Sequence, residues 1–277
     1  MALSTSSVNQ SFLPQQVGDL IVRPALAASV AAQVSTVIHT GSHDFRIPIV
    51  VSDASVGWVA EGAEIGVSDP VVSEIVVTPK KVGGVVTISR ELAEDSSPEA
   101  AQIVGDGLAR EIAKALDSAY FGTSVANGPS GLGSLTTSTA TEAASSFTTL
   151  DSFASAIFTA EGIGANVDSF VTSPAEALAL STLKELSGSN KPLLGSDPTK
   201  PTGRTVYGRP LLVSSAVGAK TAWAIPRDRV FIVIRTDAKV EVDRSVFFTK
   251  DSVAVKATMR VGIGFPHPLA LVKISHA

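Results

Sequence analysis

The stretch Ser97–Gly122, SPEAAQIVGDGLAREIAKALDSAYFG, carries the strongest structural signal in the sequence. Its apolar residues recur every three or four positions, which is the spacing of one face of an α-helix. We therefore predict a helix over Pro98–Phe121, about 35 Å long at 1.5 Å per residue. Ser97 can cap its N-terminus ahead of a first-turn proline, or Ser96 and Glu99 can form a capping box instead.

The segment before this helix, residues 45–89, has the pattern of β-strands. β-branched residues dominate it, and in its first part they alternate with a period of two. The strand-forming positions are Ile47, Ile49 and Val51, then Ile75–Val77, then Val85–Ile88. A polar tip, Glu61–Pro70, lies between the first two runs. Because such a hairpin is only marginally stable alone in water, we expect it to lie on another surface.

Helices and strands alternate after the long helix. The predicted elements are helices Leu150–Ile163 and Pro174–Leu186, strands Phe170–Thr172, Leu211–Val213 and Val230–Ile234, a loop over Ser187–Gly208, and mostly strand over Val240–Ile274. This order predicts an α+β fold, with an α/β-like lobe inserted between two β-rich flanks. At the other end, the uncharged Met1–Gln16 predicts an extended arm, and the Ala-rich Pro24–Ile38 fits either a helix or a packed strand.

The composition points to a subunit that packs against copies of itself. Only 17% of the 277 residues are charged while 44% are hydrophobic, and the mean hydropathy is +0.30. So much apolar surface is expected where faces are buried between subunits. The net charge of −4 argues against strong general nucleic-acid binding. The sequence has no cysteine, and it predicts no disulfide, no membrane span and no secretory signal.

No group of residues meets the requirements of a catalytic centre. The candidates for chemistry are His39, His43 and Asp44, the glycines Gly128, Gly131 and Gly133, the pair Glu61 and Glu64, and His267 between two prolines. The first histidines flank a Gly-Ser pair before a strand, and the glycines follow a helix, whereas a phosphate loop follows a strand. The glutamates lie on an exposed tip, where burial cannot raise a pKa. We therefore expect no enzymatic activity, no cofactor and no metal.

Short motifs over most of the chain follow one order and spacing. They are Ile47–Pro48, Trp58–Ala63, Ser68–Asp69, Val77–Lys81, Val86–Leu92, Asp95–Ser96, Leu108–Ala109, Ile112–Ala113, Asp117, Gly122, Pro129–Leu132, Leu183–Lys184, Gly188, Lys191–Leu193, Tyr207–Leu211, Arg260–Val261 and Pro268–Ala270. In this order the sequence resembles the major capsid proteins of tailed bacteriophages, which share the HK-ninety-seven-like fold.

The resemblance implies a division of the chain. The regions are an N-terminal arm at 1–38, an extended hairpin loop at 39–80, a peripheral domain at 81–145 with the helix 98–121 as its spine, an axial domain at 146–239, and return strands of the peripheral domain at 240–277. Copies would form the hexamers and pentamers of an icosahedral shell around double-stranded DNA, without sequence-specific contacts. Assembly would take place in the host cytoplasm, with the scaffolding protein and the portal as separate chains. No lysine lies between Phe45 and Thr78, so we expect a shell without cross-links through this loop.

Charge predicts how neighbouring copies would meet. Residues 45–78 carry five acidic side chains against Arg46 alone, whereas the segment from Arg244 onward is basic. These opposite charges predict complementary faces of a repeated contact, although exposed charges can also simply face solvent. Trp58 is the expected apolar anchor. The predicted interface residues are Trp58, Glu61, Glu64, Asp69, Glu74, Arg110, Lys114, Arg244, Lys250, Lys256 and Arg260.

An alternative within the same fold is an encapsulin-like nanocompartment shell, which loads an enzyme cargo near its N-terminal region. The uncharged segment Met1–Gln16 favours a phage capsid, since the cargo-binding shells begin with an amphipathic helix. A soluble enzyme is a third class, and the sequence offers no coherent site for it.

Overall fold

The computed structural model describes residues 29–62, 64–89, 98–144, 146–186, 188–194, 204–247 and 251–277, without the side chains of 98–106, 236–242 and 244–247. Within these residues the helices are α1 (Val30–Val34), α2 (Pro98–Phe121), α3 (Asp151–Gly162) and α4 (Pro174–Thr182). The strands are β1 (Thr36–Thr40), β2 (Phe45–Ser52), β3 (Val71–Val77), β4 (Lys80–Ser89), β5 (Ser138–Glu142), β6 (Ser169–Thr172), β7 (Thr205–Val206), β8 (Arg209–Val213), β9 (Thr221–Ile225), β10 (Phe231–Phe247), β11 (Ser252–Gly264) and β12 (Val272–His276).

Helix α2 spans the predicted residues and is buried along one face. Leu108, Ile112, Leu116 and Tyr120 repeat every four residues on that face and lie in one apolar core. The same core receives side chains from β10 and β11 and from the six-stranded sheet described below. The helix ends at Phe121, and the N–H of Gly122 donates a 3.0 Å hydrogen bond to the carbonyl of Ser118. Helix α2 therefore joins the two main parts of the fold.

A four-stranded sheet lies against α2, in the order β1-β10-β11-β4. Strand β1 runs parallel to β10, while β10, β11 and β4 are antiparallel neighbours. Gly84 of β4 lets the helix approach closely, because a Cβ at this position would lie 2.8 Å from a methyl carbon of Leu108. Met259 and Val261 of β11 point into the helix-facing core, so the residues that alternate with them point to the opposite face.

The hairpin of β2 and β3 rests with its base on that opposite face. Ile47 and Val77 form a small core with Val233 of β10. Two glycines of β11 make room for them: a Cβ at Gly264 would lie 2.8 Å from Val77 and 2.9 Å from Ile47, and a Cβ at Gly262 would lie 2.5 Å from Val77. The predicted long hairpin is therefore present, and its base packs on the sheet, as expected for a pair of strands that is weak alone.

A six-stranded sheet forms the second part, in the order β5-β12-β9-β6-β8-β7. Alternate residues of its central strands point to opposite faces. Phe170 and Ala224 pack under helix α3 together with Phe153 and Ile157. Val171 and Trp223 point the other way, into the core around α2. Ser173 caps α4, since its hydroxyl accepts a hydrogen bond from the N–H of Glu176 at 3.4 Å.

Residues 29–40, which we call the arm root, are fixed to α2 by buried polar groups. The carboxylate of Asp117 accepts hydrogen bonds from the Ser29 hydroxyl at 2.6 Å and from the N–H groups of Val30 and Ala31 at 3.2 and 3.0 Å. The hydroxyl of Ser35 donates to Tyr120 at 3.0 Å, and burial raises the pKa of the tyrosine. The carboxylate thus satisfies the first N–H groups of α1, which would otherwise be buried without acceptors.

Several predicted boundaries are corrected by the structure. The segment Pro24–Ile38 forms both alternatives from Ser29 onward, a short helix and then strand β1. Helix α4 ends at Thr182 rather than Leu186, because Leu183 is extended and Lys184 pairs with Pro192. Strand β10 continues well past Ile234. The arm before residue 29 and the cap at Ser96 or Ser97 lie outside the described residues.

The predicted boundaries between the regions of the chain do not coincide with the boundaries between the two sheets. Strand β12 lies in the segment 240–277, which was assigned to return strands, yet it pairs with β5 and β9 in the six-stranded sheet. Strand β5 belongs to the same sheet although it precedes residue 146, and β10 crosses the expected boundary at 239/240. Local patterns identify strands but not their partners, and these pairings join residues far apart in sequence.

Candidate assembly surfaces

The tip of the hairpin, residues 53–70 between β2 and β3, carries large apolar side chains in full contact with solvent. Trp58 is completely exposed, and Val56 and Val67 are each 96% exposed. The two sides of the tip are held together where the Ser55 N–H donates to the Ser68 hydroxyl at 2.8 Å. Contiguous apolar side chains that pack on nothing in their own subunit mark a surface that another molecule covers.

The tip is acidic as well as apolar. Asp53, Glu61, Glu64 and Asp69 are exposed on it, and none of them forms an ion pair with another residue that the structure describes. Glu74 differs, because it lies on β3 and its carboxylate accepts a 2.6 Å hydrogen bond from Arg46 across the hairpin. Of the predicted acidic contacts, Glu74 is therefore already engaged within its own subunit.

Three basic residues lie side by side on the four-stranded sheet, and we call them the cation row. Arg260 of β11 is directly opposite Arg235 of β10 on one side and Lys81 of β4 on the other. Directly opposite residues share a face, and here it is the face that α2 does not cover. The side chains of Arg260 and Lys81 form no hydrogen bond or ion pair with any described residue. Like charges at opposite positions destabilise a sheet, so Arg260 and Lys81 together favour an anionic partner.

The other predicted basic residues are spread over more than one surface. Arg110 and Lys114 are exposed on α2, across the sheet from the cation row, and Lys114 pairs with Glu111 at 2.6 Å. Lys256 lies on the same face as the row, opposite Glu241 in the register. The side chain of Arg244 and all of Lys250 lie outside the described part of the chain. Helix α2 covers one face of the sheet and the cation row lies on the other, so these basic residues do not form one patch.

A cleft of about 270 Å³ opens on the α2 side of the sheet, and Lys81 is the one member of the cation row that lines it. It lies between the start of β4 and the C-terminal third of α2. Lys80 and Lys81 line it on the strand side. Its apolar lining residues include Val82, Ala115, Leu116, Ala119 and Val125. The sequence did not predict this cleft, although the pair Lys80–Lys81 at the start of a strand is visible in it. The cleft thus combines an apolar surface with positive charge, whereas the tip combines an apolar surface with negative charge.

The base of the hairpin has its own polar contacts. The Thr78 hydroxyl donates to the Asp44 carboxylate at 2.6 Å, and His43 lies 3.0 Å from the same oxygen. The hydrogen bond from Thr78, followed by that from His43, holds the pKa of Asp44 below its ordinary value. His39 lies apart on β1. No group of three metal-binding side chains occurs among the described residues.

The remaining candidates for chemistry serve the packing of the subunit. Gly131 closes the C-terminus of α2, because a Cβ there would collide with the carbonyl oxygens of Ala119 and Gly122. Partial burial and the neighbouring Arg229 lower the pKa of His267. A buried contact of 3.1 Å between the Nε2 atom of His276 and the carboxylate of Glu176 links β12 to α4. Among the described helices, none is both long and apolar enough for a membrane crossing.

A family model described as the phage capsid family matches residues 10–275. The chain belongs to the phage capsid family. The match extends over nearly the whole capsid chain and includes the hairpin, α2 and both sheets. It confirms the resemblance that the sequence motifs suggested.

Solved structures show the same fold at low sequence identity. A chain of Microbacterium phage Oxtober96 is 19% identical, with a TM-score of 0.71 over 90% of this chain and 91% of that one. The capsid of an empty GTA particle is 18% identical, with a TM-score of 0.75 over 100% of this chain and 95% of that one. A chain of Mycobacterium phage Adephagia is 14% identical, with a TM-score of 0.72 over 90% of each. No curated protein matches the sequence. The α+β architecture is thus the HK-ninety-seven-like capsid fold that the sequence predicts.

Proposed function

We propose that this chain is a major capsid protein that assembles into hexamers and pentamers of an icosahedral shell enclosing double-stranded DNA. The observation that carries the proposal is the projecting tip, which exposes Trp58 and Val56 to solvent in a chain of the phage capsid family. An isolated subunit gains nothing from such a surface, whereas a shell buries it once in every copy.

The parts of the fold have corresponding roles in the proposed shell. The four-stranded sheet with α2 is the peripheral domain, and the six-stranded sheet with α3 and α4 is the axial domain at the centre of each hexamer or pentamer. The acidic tip meets the basic surface of a neighbouring copy. Weak surface ion pairs contribute about 0–1 kcal/mol each, but a shell repeats them in every copy. A scaffolding protein and a portal are partners in assembly, which takes place in the host cytoplasm, and the DNA is held without sequence-specific contacts.

Particles purified from cells that express the full chain provide the test. Electron microscopy should show closed icosahedral shells, and nuclease-resistant double-stranded DNA should be recovered from particles made in infected cells. Recovery of a single enzyme cargo in place of DNA would assign the chain to an encapsulin-like compartment. A chain that stays monomeric at all concentrations and salt conditions would contradict the proposal.

A further inference from the structure

We propose that a cavity between the hairpin and the body of the subunit binds a phosphate group that carries a proton. Arg229 and His267 donate hydrogen bonds to its oxygens, and Asp53 accepts one from its hydroxyl. Every residue of this site belongs to one subunit, so the site goes beyond the proposed function and does not depend on shell assembly.

The cavity has a volume of about 470 Å³. Ser52 and Asp53 line it from the end of β2. Arg229 lines it from the turn before β10, and His267 from the connection between β11 and β12. The remaining lining residues are apolar. Apolar walls with a few convergent polar groups are typical of small-molecule sites, and the volume lies within their range.

The two basic side chains of the cavity have donors without acceptors. The Nε atom of Arg229 lies 3.1 Å from the carboxylate of Asp228, yet this buried atom forms no hydrogen bond, because the carboxylate is not in line with the N–H. The Arg229 side chain is 32% exposed, and its outer nitrogens donate to no described residue. Neither ring nitrogen of His267 hydrogen bonds within the described chain. Partly buried donors without acceptors indicate a ligand.

The two basic groups are close enough to affect each other. Partial burial lowers the pKa of His267, the charge of Arg229 lowers it further, and Asp228 acts in the opposite direction. An anion bound between them would favour the protonated ring, which donates from both nitrogens. Phosphate suits this pair, because a guanidinium group binds its oxygens through strong, charge-assisted hydrogen bonds.

Asp53 determines which oxyanion the site accepts. Its exposed carboxylate has no hydrogen bond or ion pair with a described residue, and when ionised it can only accept hydrogen bonds. Hydrogenphosphate has an O–H group to donate, whereas sulfate at neutral pH and the phosphodiesters of DNA have none. A phosphate monoester keeps this proton only near or below its second pKa of about 6. Asp53 therefore selects the protonated phosphate group by repelling the other anions.

NMR of the unassembled, full-length chain gives a direct readout, because the sequence contains only four histidines. At low ionic strength, inorganic phosphate should shift the ring signals of His267 and raise its pKa toward the ordinary value. His43 is exposed and does not line the cavity, so its signals are the internal control. Calorimetry with the same probe measures the dissociation constant.

Variants test the role of each charge. Arg229→Gln should weaken the binding of inorganic phosphate about tenfold or more, since charge-assisted hydrogen bonds are lost. Arg110→Gln removes an exposed cation outside the cavity and is the control. The wild type should bind sulfate at least about tenfold more weakly than phosphate. Asp53→Asn should remove this difference, whereas Asp69→Asn on the tip should preserve it.

Glycerol 3-phosphate distinguishes the two sources of the phosphate group. Binding that is tighter than that of inorganic phosphate at about pH 5.5 and weaker at about pH 7.5 would assign the site to a monoester. Tighter binding of inorganic phosphate at both pH values would assign it to the free ion.

The outcomes that overturn the site leave the proposed function intact. An unchanged His267 signal with no heat of binding from either probe would overturn it. Equal affinities of the wild type for phosphate and sulfate would overturn the selection by Asp53, and with it the proposal. Asp53→Asn changes an exposed side chain and decides the question even if Arg229→Gln fails to fold.

Discussion

The hydroxyl of Thr78 donates a 2.6 Å hydrogen bond to the carboxylate of Asp44, and so joins the two ends of the projecting hairpin. Asp44 directly precedes β2 and Thr78 directly follows β3, so the bond lies at the base of the hairpin. The bond holds the base of the hairpin closed beneath a tip that is otherwise exposed.

Replacing Thr78 by valine should raise the pKa of Asp44 toward its ordinary value. The pKa of Asp44 in the folded chain lies below its ordinary value. The hydrogen bond therefore stabilises the hairpin base at pH values above the ordinary pKa, and this stabilisation is lost as the pH falls through the folded-state pKa. The carbon-13 NMR titration of the Asp44 carboxyl group measures this shift. Thr87→Val, an exposed change on β4, should leave the titration as in the wild type, and an unchanged titration in Thr78→Val would refute the assigned cause.

Asp117→Ala should lower the free energy of unfolding by about 2–3 kcal/mol, because a buried hydroxyl and two N–H groups lose their acceptor. Denaturant unfolding of the unassembled subunit measures the loss. Glu111→Ala, which removes an exposed ion pair on the same helix, should cost no more than about 0.5 kcal/mol. Equal losses in the two variants would show that the Asp117 contacts do not stabilise the arm root.

Gly264→Ala should destabilise the chain by about 1–3 kcal/mol, since the added methyl group would overlap Val77 and Ile47 at the hairpin base. Thermal unfolding provides the measurement. Gly57→Ala on the tip has nothing within 4 Å and is the control, for which we expect almost no change. A stable Gly264→Ala chain would mean that the hairpin base does not pack on β11.

Leu108→Asp should give insoluble protein or prevent assembly, because it buries an unpaired charge among the core residues of α2 at a cost of at least about 3 kcal/mol. Solubility and unfolding of the purified chain test this directly. Ser118→Asp, at an exposed position of the same helix, should be tolerated. Normal particles from Leu108→Asp would contradict the orientation of α2.

Local sequence signals predicted the local structure well. The periodicity of α2 and the alternation at the hairpin were enough to place both, and the order of the motifs was enough to indicate the fold. The predicted end of α4 at Leu186 was wrong. Helix propensity continues past Thr182, but the pairing of Lys184 with Pro192 stops the helix. A signal for the role of Asp117 was available, since it is a carboxylate next to the apolar stripe of α2.

Contacts between distant strands could not be predicted from the sequence. Arg260 and Lys81 are far apart in the chain, and only the register of β11 with β4 places them opposite each other. The count of charges in the sequence identified Arg260 but not the cation row. It also grouped Arg110 and Lys114 with Arg260, although these two residues lie on α2, on the other side of the sheet. The cleft beside Lys81 also depends on how α2 packs on β4.

The most direct test of a shell-forming subunit is sedimentation velocity of the expressed, full-length chain. We expect particles of megadalton mass that dissociate, when boiled and reduced, to a single band of 28.4 kDa, because the hairpin loop offers no lysine for a cross-link. A single sedimenting species of 28.4 kDa at every concentration, salt level and pH would contradict the account.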